Sequence, residues 1–250
     1  MNIHIGEKWG NRYDKTVKLT IDYFGRLGYY AMYGVKLPQY SEMLDRIYEQ
    51  FPEFLPNKYD VVYDIGAQYG DYSLICSKIY NARKVYAWEP IYGNYLKMHN
   101  LFWNHDLSYG FFEDSVHGDI NFYNYALSDK KEEKIMKHNG MLSTENEGKF
   151  SAKIRYEVLD DILKSNLHML LPTLMKIDVE GYEMKVLMGA LRVIGTARPR
   201  IIVETHTIEL ENEVRAFLKN LNYAEPKEYG RKTNKDGTEH VNLFFMPNVE

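Results

Sequence analysis

A run that reads as a β-strand, Thr173-Leu174-Met175-Lys176-Ile177, stops at Asp178-Val179-Glu180-Gly181: two carboxylates one residue apart, then a glycine. Charge cannot be carried into a packed interior without a large desolvation cost. The acids therefore mark the carboxyl end of the strand, where open α/β sheets hold their ligands. The same design occurs earlier in the chain. Val61-Val62-Tyr63-Asp64-Ile65 runs into Gly66-Ala67-Gln68-Tyr69-Gly70, with glycines where the backbone must turn tightly or meet a ligand. Two strand ends of this kind restrict the chain to folds in which strand termini line a common crevice.

Strands and helices alternate from Tyr59 onward. Strand 61–65 precedes a helix over 71–80 with Tyr72, Ile75, Cys76 and Ile79 on one face. Strand 84–88 ends at Glu89-Pro90, and a helix over 93–103 leads to a strand over 120–126. Segment 129–152 is polar, contains Gly140 and Gly148, and reads as an irregular, mobile loop near a ligand. A strand near 154–158, a short helix from Asp160 and strand 173–177 follow. Met184, Leu187, Met188 and Leu191 give the next helix its buried face, 201–203 is a short strand, and Leu210, Val214, Phe217, Leu218 and Leu221 mark the last helix. Segments 223–229 and 241–246 read as two strands joined by a turn at Asn234-Lys235-Asp236-Gly237.

This order predicts an α/β fold: a Rossmann-like, seven-stranded, mainly parallel sheet with a C-terminal antiparallel hairpin and helices on both faces. Residues 58–250 form that domain. Residues 1–57 read as a helical or irregular N-terminal extension, with a helix from Ser41 carrying Met43, Leu44, Ile47, Tyr48 and Phe51 and ended by Pro52 and Pro56.

Composition narrows the function classes. At 250 residues, 45% hydrophobic and 26% charged, the chain fits one large domain. A formal net charge of −4 lacks the basic footprint of a nucleic-acid binder. Arg198, Arg200, Lys227, Arg231, Lys232 and Lys235 read as scattered surface charge. A lone cysteine, Cys76, excludes an internal disulfide and a multi-cysteine zinc site, and its helical position suits a small core residue. The sequence contains no signal-like apolar leader and no run of 18 apolar residues. We therefore expect a cytoplasmic protein without a membrane span.

The loop Gly66-Ala67-Gln68-Tyr69-Gly70 has two glycines but not the G-x-G-x-x-G spacing that brings pyrophosphate onto backbone amides. By itself it is either a plain turn or the cradle of a cofactor that carries no pyrophosphate. Glu89 ends the next strand, where an acid accepts both ribose hydroxyls of an adenosine cofactor, although a surface glutamate before Pro90 would look the same.

In order along the chain stand Asp64-Ile65-Gly66-Ala67-Gln68-Tyr69-Gly70, Trp88-Glu89-Pro90, Ala126-Leu127-Ser128-Asp129, Leu159-Asp160-Asp161, Lys176-Ile177-Asp178-Val179-Glu180-Gly181-Tyr182-Glu183 and Ile202-Val203-Glu204. Over about residues 59–246 this series resembles the FkbM family of S-adenosylmethionine-dependent methyltransferases, which share the class I methyltransferase fold. Gln68 replaces the family's usual Asn, and Trp88 its usual Phe. The resemblance implies that Asp64, Gly66, Ala67 and Gly70 hold the methionine end of S-adenosylmethionine, Glu89 the ribose, and Ala126 with Ser128 the adenine edge. It places Asp178 beside the transferable methyl group, and it implies a hydroxylated acceptor: a sugar, glycolipid or other small metabolite.

Asp178, Glu180, Glu204 and His206 gather polar groups at adjacent strand ends. They are candidate ligands for a divalent cation, with Asp178 and His206 the candidate catalytic groups. His206 is equally readable as a half-buried histidine bonded to a carbonyl. Glu180 and Glu183 also suit the first turn of a helix, where acids complement the dipole. His99, His105, His117 and His138 show no ligand spacing and read as surface residues. Two rival functions share these features: a nicotinamide-dependent oxidoreductase, disfavoured by the missing glycine pattern, and a non-catalytic module that binds cofactor or partner.

Overall fold

The computed structural model describes residues 50–78, 80–103, 114–117, 120–138, 143–144, 150–233 and 239–248. The expected helix from Ser41 and the turn at 234–237 lie outside them. After a 3-10 turn at Pro52–Phe54, the elements are β1 (Val61–Ile65), α1 (Asp71–Lys78), β2 (Lys84–Trp88), α2 (Tyr92–Trp103), β3 (Asp114–His117), β4 (Ile120–Tyr123), β5 (Ala126–Leu127), β6 (Glu132–His138), β7 (Ser143–Thr144) and β8 (Phe150–Glu157). Then come α3 (Leu159–Ser165), β9 (Leu174–Ile177), α4 (Glu183–Gly189), α5 (Leu191–Ala197), β10 (Arg200–Thr205), α6 (Ile208–Asn220), β11 (Lys227–Thr233) and β12 (Glu239–Phe245).

The main sheet has the order β11-β12-β10-β9-β1-β2-β4-β3. Strands β1, β2, β4, β9 and β10 are parallel, and β12 pairs antiparallel with both β10 and β11. Seven of these strands make the expected sheet, and β3 adds an eighth, antiparallel to β4 at the far edge. All five residues of β1 are buried, as a central strand covered on both faces requires.

The period-2 alternation of strand side chains divides the core. Tyr63, Ile65, Tyr86, Trp88, Met175, Ile177, Ile201 and Val203 face α4, α5 and α6 through Val186, Leu187, Val193, Ile194, Val214 and Leu218. Val62, Val85, Ala87, Phe122, Leu174, Ile202 and Phe244 face the other way, against Tyr72, Ile75 and Cys76 of α1 and Tyr95 and Met98 of α2. Cys76 is fully buried there, as expected for a small core residue. His99 corrects an expectation. It is buried between Tyr95 and Phe122 rather than on the surface, because it occupies the sheet-facing side of α2. His105 lies outside the described residues, as do the side chains of His117 and His138.

The larger correction concerns 129–152. Its described residues form β6, β7 and the start of β8 of a second, four-stranded sheet of order β5-β8-β6-β7 rather than an irregular loop, while 139–142 and 145–149, with Gly140 and Gly148, lie outside the described residues. One face of this small sheet is apolar, with Met136, Ile154 and Tyr156 packed on Ile91, Ala126 and Tyr182. Its outward positions mix charged and polar residues with the exposed Ile135 and Phe150, which hid the alternation. The long segment remains close to the main sheet because α4 packs on it without a gap: a Cβ on Gly189 would lie 2.0 Å from the Ser128 carbonyl oxygen.

Among the described residues, four of the basic side chains are paired rather than gathered in a free patch, and Lys235 lies outside the described residues. Arg200 is paired with Asp60 at 2.6 Å and Lys227 with Glu53. Arg231 bonds Glu211, Glu228 and Glu239, and Arg198 donates to the carbonyls of Leu221 and Asn222. Among the described residues, no helix is long and apolar enough to cross a membrane.

Candidate active site

Register alone assembles the site. Ile65 pairs with Trp88 on one side and Ile177 on the other, and Ile177 pairs with Val203. One residue further on, Gly66, Glu89, Asp178 and Glu204 therefore form a row along the carboxyl edge of four parallel strands. The separate acids of the sequence become neighbours because the strands end at the same level.

Gly66 permits the central approach. Its φ is +83°, and a Cβ there would lie 1.8 Å from the Asp178 carbonyl oxygen. The Asp178 amide donates to Ile65 O at 3.0 Å, and the amides of Gly66 and Ala67 both donate to Trp88 O. This loop is thus a close crossing of β1 and β9 as well as a rim of the crevice.

Glu89 is 5% exposed and already oriented. Its Oε2 accepts from the Gln68 amide at 3.0 Å, and its Oε1 accepts from the Ile91 amide at 2.8 Å and from Asn94 at 3.3 Å. Burial raises its pKa to about 7 against the opposing effect of those three donors. A carboxylate offers about four lone-pair sites, so acceptor capacity remains. Gln68, the departure from the family pattern, contributes its backbone amide, and its left-handed φ of 52° aims it.

Asp64 lies beneath the row, completely buried. Ser73 donates to its Oδ2 at 2.6 Å, while Oδ1 has no hydrogen-bond partner among the described residues. Lys176, itself 3% exposed, bridges Asp64 at 3.7 Å and Asp178 at 3.4 Å. Burial pushes the Asp64 carboxyl upward, opposed by Lys176 and Ser73. Burial pushes Asp178 upward too, but Lys176 and His206 outweigh it and hold the carboxyl well below the usual carboxylate range.

His206 sits among acids. Its Nε2 is 3.6 Å from both Asp178 and Glu183, and its Nδ1 is 3.9 Å from Glu180. These are electrostatic contacts, longer than hydrogen bonds. Burial alone would depress the imidazole, yet the surrounding carboxylates raise its pKa to about 9. Glu183 does more than complement a helix dipole. It is fully buried and accepts from the amides of Val179 and Gly181, bracing the loop that carries Glu180. Glu180 itself adopts a left-handed φ of 55°. Beside His206, His240 of β12 stacks at 6.5 Å and its Nδ1 lies 3.2 Å from Glu204.

A pocket of about 720 Å³, counted to its open mouth, lies over this row. Gly66, Gln68 and Glu89 line one part, Asp178 and Glu180 another, and Ala126, Met136, Tyr156 and Tyr182 the wall toward the small sheet. Asp64, Ala67, Gly70, Ser128, Glu204 and His206 do not line it. Ser128 is fully buried, its amide bonded to Glu157 O at 2.8 Å beneath Gly189.

Sequence reasoning missed the small-sheet wall, the Lys176 bridge and His240. The alternation of Ile154 and Tyr156 was the only signal for the first.

The Methyltransferase FkbM domain model matches residues 64–225, more than half of the chain. The chain belongs to the FkbM methyltransferase family. A crystal structure of the FkbM methyltransferase from Methylobacillus flagellatus KT superimposes with a TM-score of 0.51 at 16% identity, covering 75% of this chain and 44% of that one. The present chain thus spans less than half the length of that relative. An uncharacterized protein from Listeria monocytogenes serotype 4b gives a TM-score of 0.51 at 11% identity, covering 81% and 67%. At these identities the likeness is one of fold. No curated protein matches significantly in sequence. For an FkbM-family chain the pocket has a fitting donor set, since Glu89, Gly66 and Asp178 meet at one edge with no phosphate-binding loop.

Proposed function

We propose that this FkbM-family protein is an S-adenosylmethionine-dependent methyltransferase that methylates an oxygen on a sugar, glycolipid or other small hydroxylated metabolite in the cytoplasm. Residues 58–250 carry the reaction and 1–57 form an extension. The observation that carries the reading is the joint presence of Glu89, Gly66 and Asp178 on one pocket. In this reading Glu89 accepts the ribose hydroxyls, Gly66 with Ala67, Gly70 and Asp64 shapes the methionine end, and Ala126 borders the adenine. Ser128 supports that border from beneath through its backbone.

When bound, S-adenosylmethionine supplies a methyl group on positively charged sulfur, which leaves as a neutral thioether. Asp178 orients the acceptor hydroxyl in line with that methyl, and positioning of this kind is a major source of rate. As the new carbon–oxygen bond forms, the hydroxyl becomes strongly acidic and Asp178 takes its proton. A carboxylate of low pKa suffices for so late a transfer. Asp178 is the group facing the pocket, whereas His206 stands behind it and fixes its charge and direction.

The direct test is ligand-induced stabilisation of the full chain. S-adenosylhomocysteine at 100 times its dissociation constant should stabilise the protein by about 2.7 kcal/mol, read as a raised Tm, while NAD and NADP leave it unchanged. The reverse pattern would assign the chain to the nicotinamide enzymes. Silence from all three would leave a module without this cofactor, and a methyl-transfer assay separates a binder from an enzyme.

Glu89→Gln keeps the side-chain volume but removes the charge. S-adenosylhomocysteine affinity should fall by about 1.5–3 kcal/mol, the scale of hydrogen bonds to a charged group. In the wild type, affinity should decline as pH falls through about 7, because protonation of Glu89 removes acceptor capacity. Calorimetry showing equal affinity in a folded Glu89→Gln protein would end the ribose assignment.

A further inference from the structure

Extending the β10–β12 register by one step sets His206 opposite His240, since Thr205 pairs with Val241 and Glu204 with Asn242. Glu204 is two residues before His206 on the same face, so it is the diagonal neighbour of His240. Cross-strand and diagonal pairs on one face lie within reach of each other. The side chains follow that geometry. The His240 Nδ1 is 3.2 Å from Glu204, the rings stack at 20°, and one donor atom from each of the three residues lies within 4.8 Å of the others. Donors at about 2.0–2.2 Å from one ion lie at most about 4.4 Å apart, so small side-chain rotations bring these three onto a common ion.

From this we propose that Glu204, His206 and His240 form a binding site for a divalent transition-metal ion. The site neighbours the pocket and does not depend on the transferase reading. Two imidazoles and one carboxylate favour zinc, cobalt, iron or manganese over magnesium and calcium, which take oxygen ligands. The three side chains are each 23–25% exposed, which gives an ion a path in and leaves coordination positions for water or an acceptor oxygen. A second feature points to a cation at this place. Asp178, Glu180 and Glu183 also surround His206, and Lys176 is the lysine within this group. Glu183 is fully buried, and its Oε2 has no hydrogen-bond partner among the described residues. An ion bound there would displace the proton of His206 and take over the positive charge that this concentration of acid attracts.

The full chain, stripped with chelator and dialysed, is titrated with cobalt(II) and separately with magnesium, reading heat and the visible absorption that nitrogen-ligated cobalt gives. One cobalt ion per chain should bind, with zinc displacing it and magnesium not competing. His240→Ala and Glu204→Gln should each weaken cobalt binding by more than about 10-fold, the least that losing even a ligand's supporting partner costs. Circular dichroism and Tm in the absence of metal, unchanged in both variants, would show that they remain folded. Absence of stoichiometric cobalt binding in the wild type would overturn the proposal and leave the cluster as a charge network. Equal binding by wild type and both variants would overturn it too, and loss only in Asp178→Asn would move the ion to Asp178, Glu180 and His206.

Discussion

Asp178→Asn should leave cofactor affinity nearly unchanged while turnover falls by about 10² or more, the scale on which a positioned general base acts. The substitution preserves volume and removes the charge that Lys176 at 3.4 Å and His206 at 3.6 Å hold in place. Separate measurement of S-adenosylhomocysteine binding and of single-turnover methyl transfer distinguishes the two effects. A variant that binds and turns over like the wild type would reduce Asp178 to a strand-end carboxylate. One that loses binding and turnover together would make it part of the cofactor cradle. Chelator adds a further division. If it inactivates the wild type and a divalent ion restores it, the ion takes part in the reaction. If the wild type is insensitive, Asp178 works without it.

The second large effect is on stability. Lys176→Met should destabilise the protein by about 3–5 kcal/mol, the cost of leaving a buried ion pair with one partner missing. Asp64 is fully buried, its Oδ1 has no hydrogen-bond partner among the described residues, and Lys176 is the cation facing it. The methylenes of methionine replace those of lysine, so lost packing contributes little. Adding Asp64→Asn to Lys176→Met should restore part of the loss, because the stranded charge goes with it. Urea denaturation of the single and double variants measures both steps. A single-variant loss below about 1 kcal/mol would mean that Asp64 is already protonated in the folded protein and that Lys176 contributes packing alone.

The sheet and the acids at its edge were legible because both rest on local rules. Val61–Ile65, Lys84–Trp88 and Leu174–Ile177 are central strands and so read as largely apolar runs, and Ile65-Gly66 and Ile177-Asp178 mark where burial stops. The helices carry most of their buried residues at helical spacing, but the helix expected from Met184, Leu187, Met188 and Leu191 is two, α4 and α5, with Met188 and Leu191 each 44% exposed. Segment 129–152 was not legible. Its strands cover the pocket with one apolar face, and because exposed Ile135 and Phe150 stand among the charged outward positions, the two faces do not separate cleanly in the sequence.

What the sequence determined by itself is therefore the alternating α/β order, the mainly parallel sheet, and which acids stand at strand ends. Tertiary structure decided which of those acids meet. Register set Gly66, Glu89, Asp178 and Glu204 in one row, and the antiparallel return of β12 brought His240 to His206. Packing decided their chemical state, since the same imidazole that would titrate near 6.5 in water is held near 9 by Asp178, Glu183 and Glu180. Strand ends are written in local hydrophobicity, whereas register, proximity and charge state depend on contacts between residues far apart in the chain.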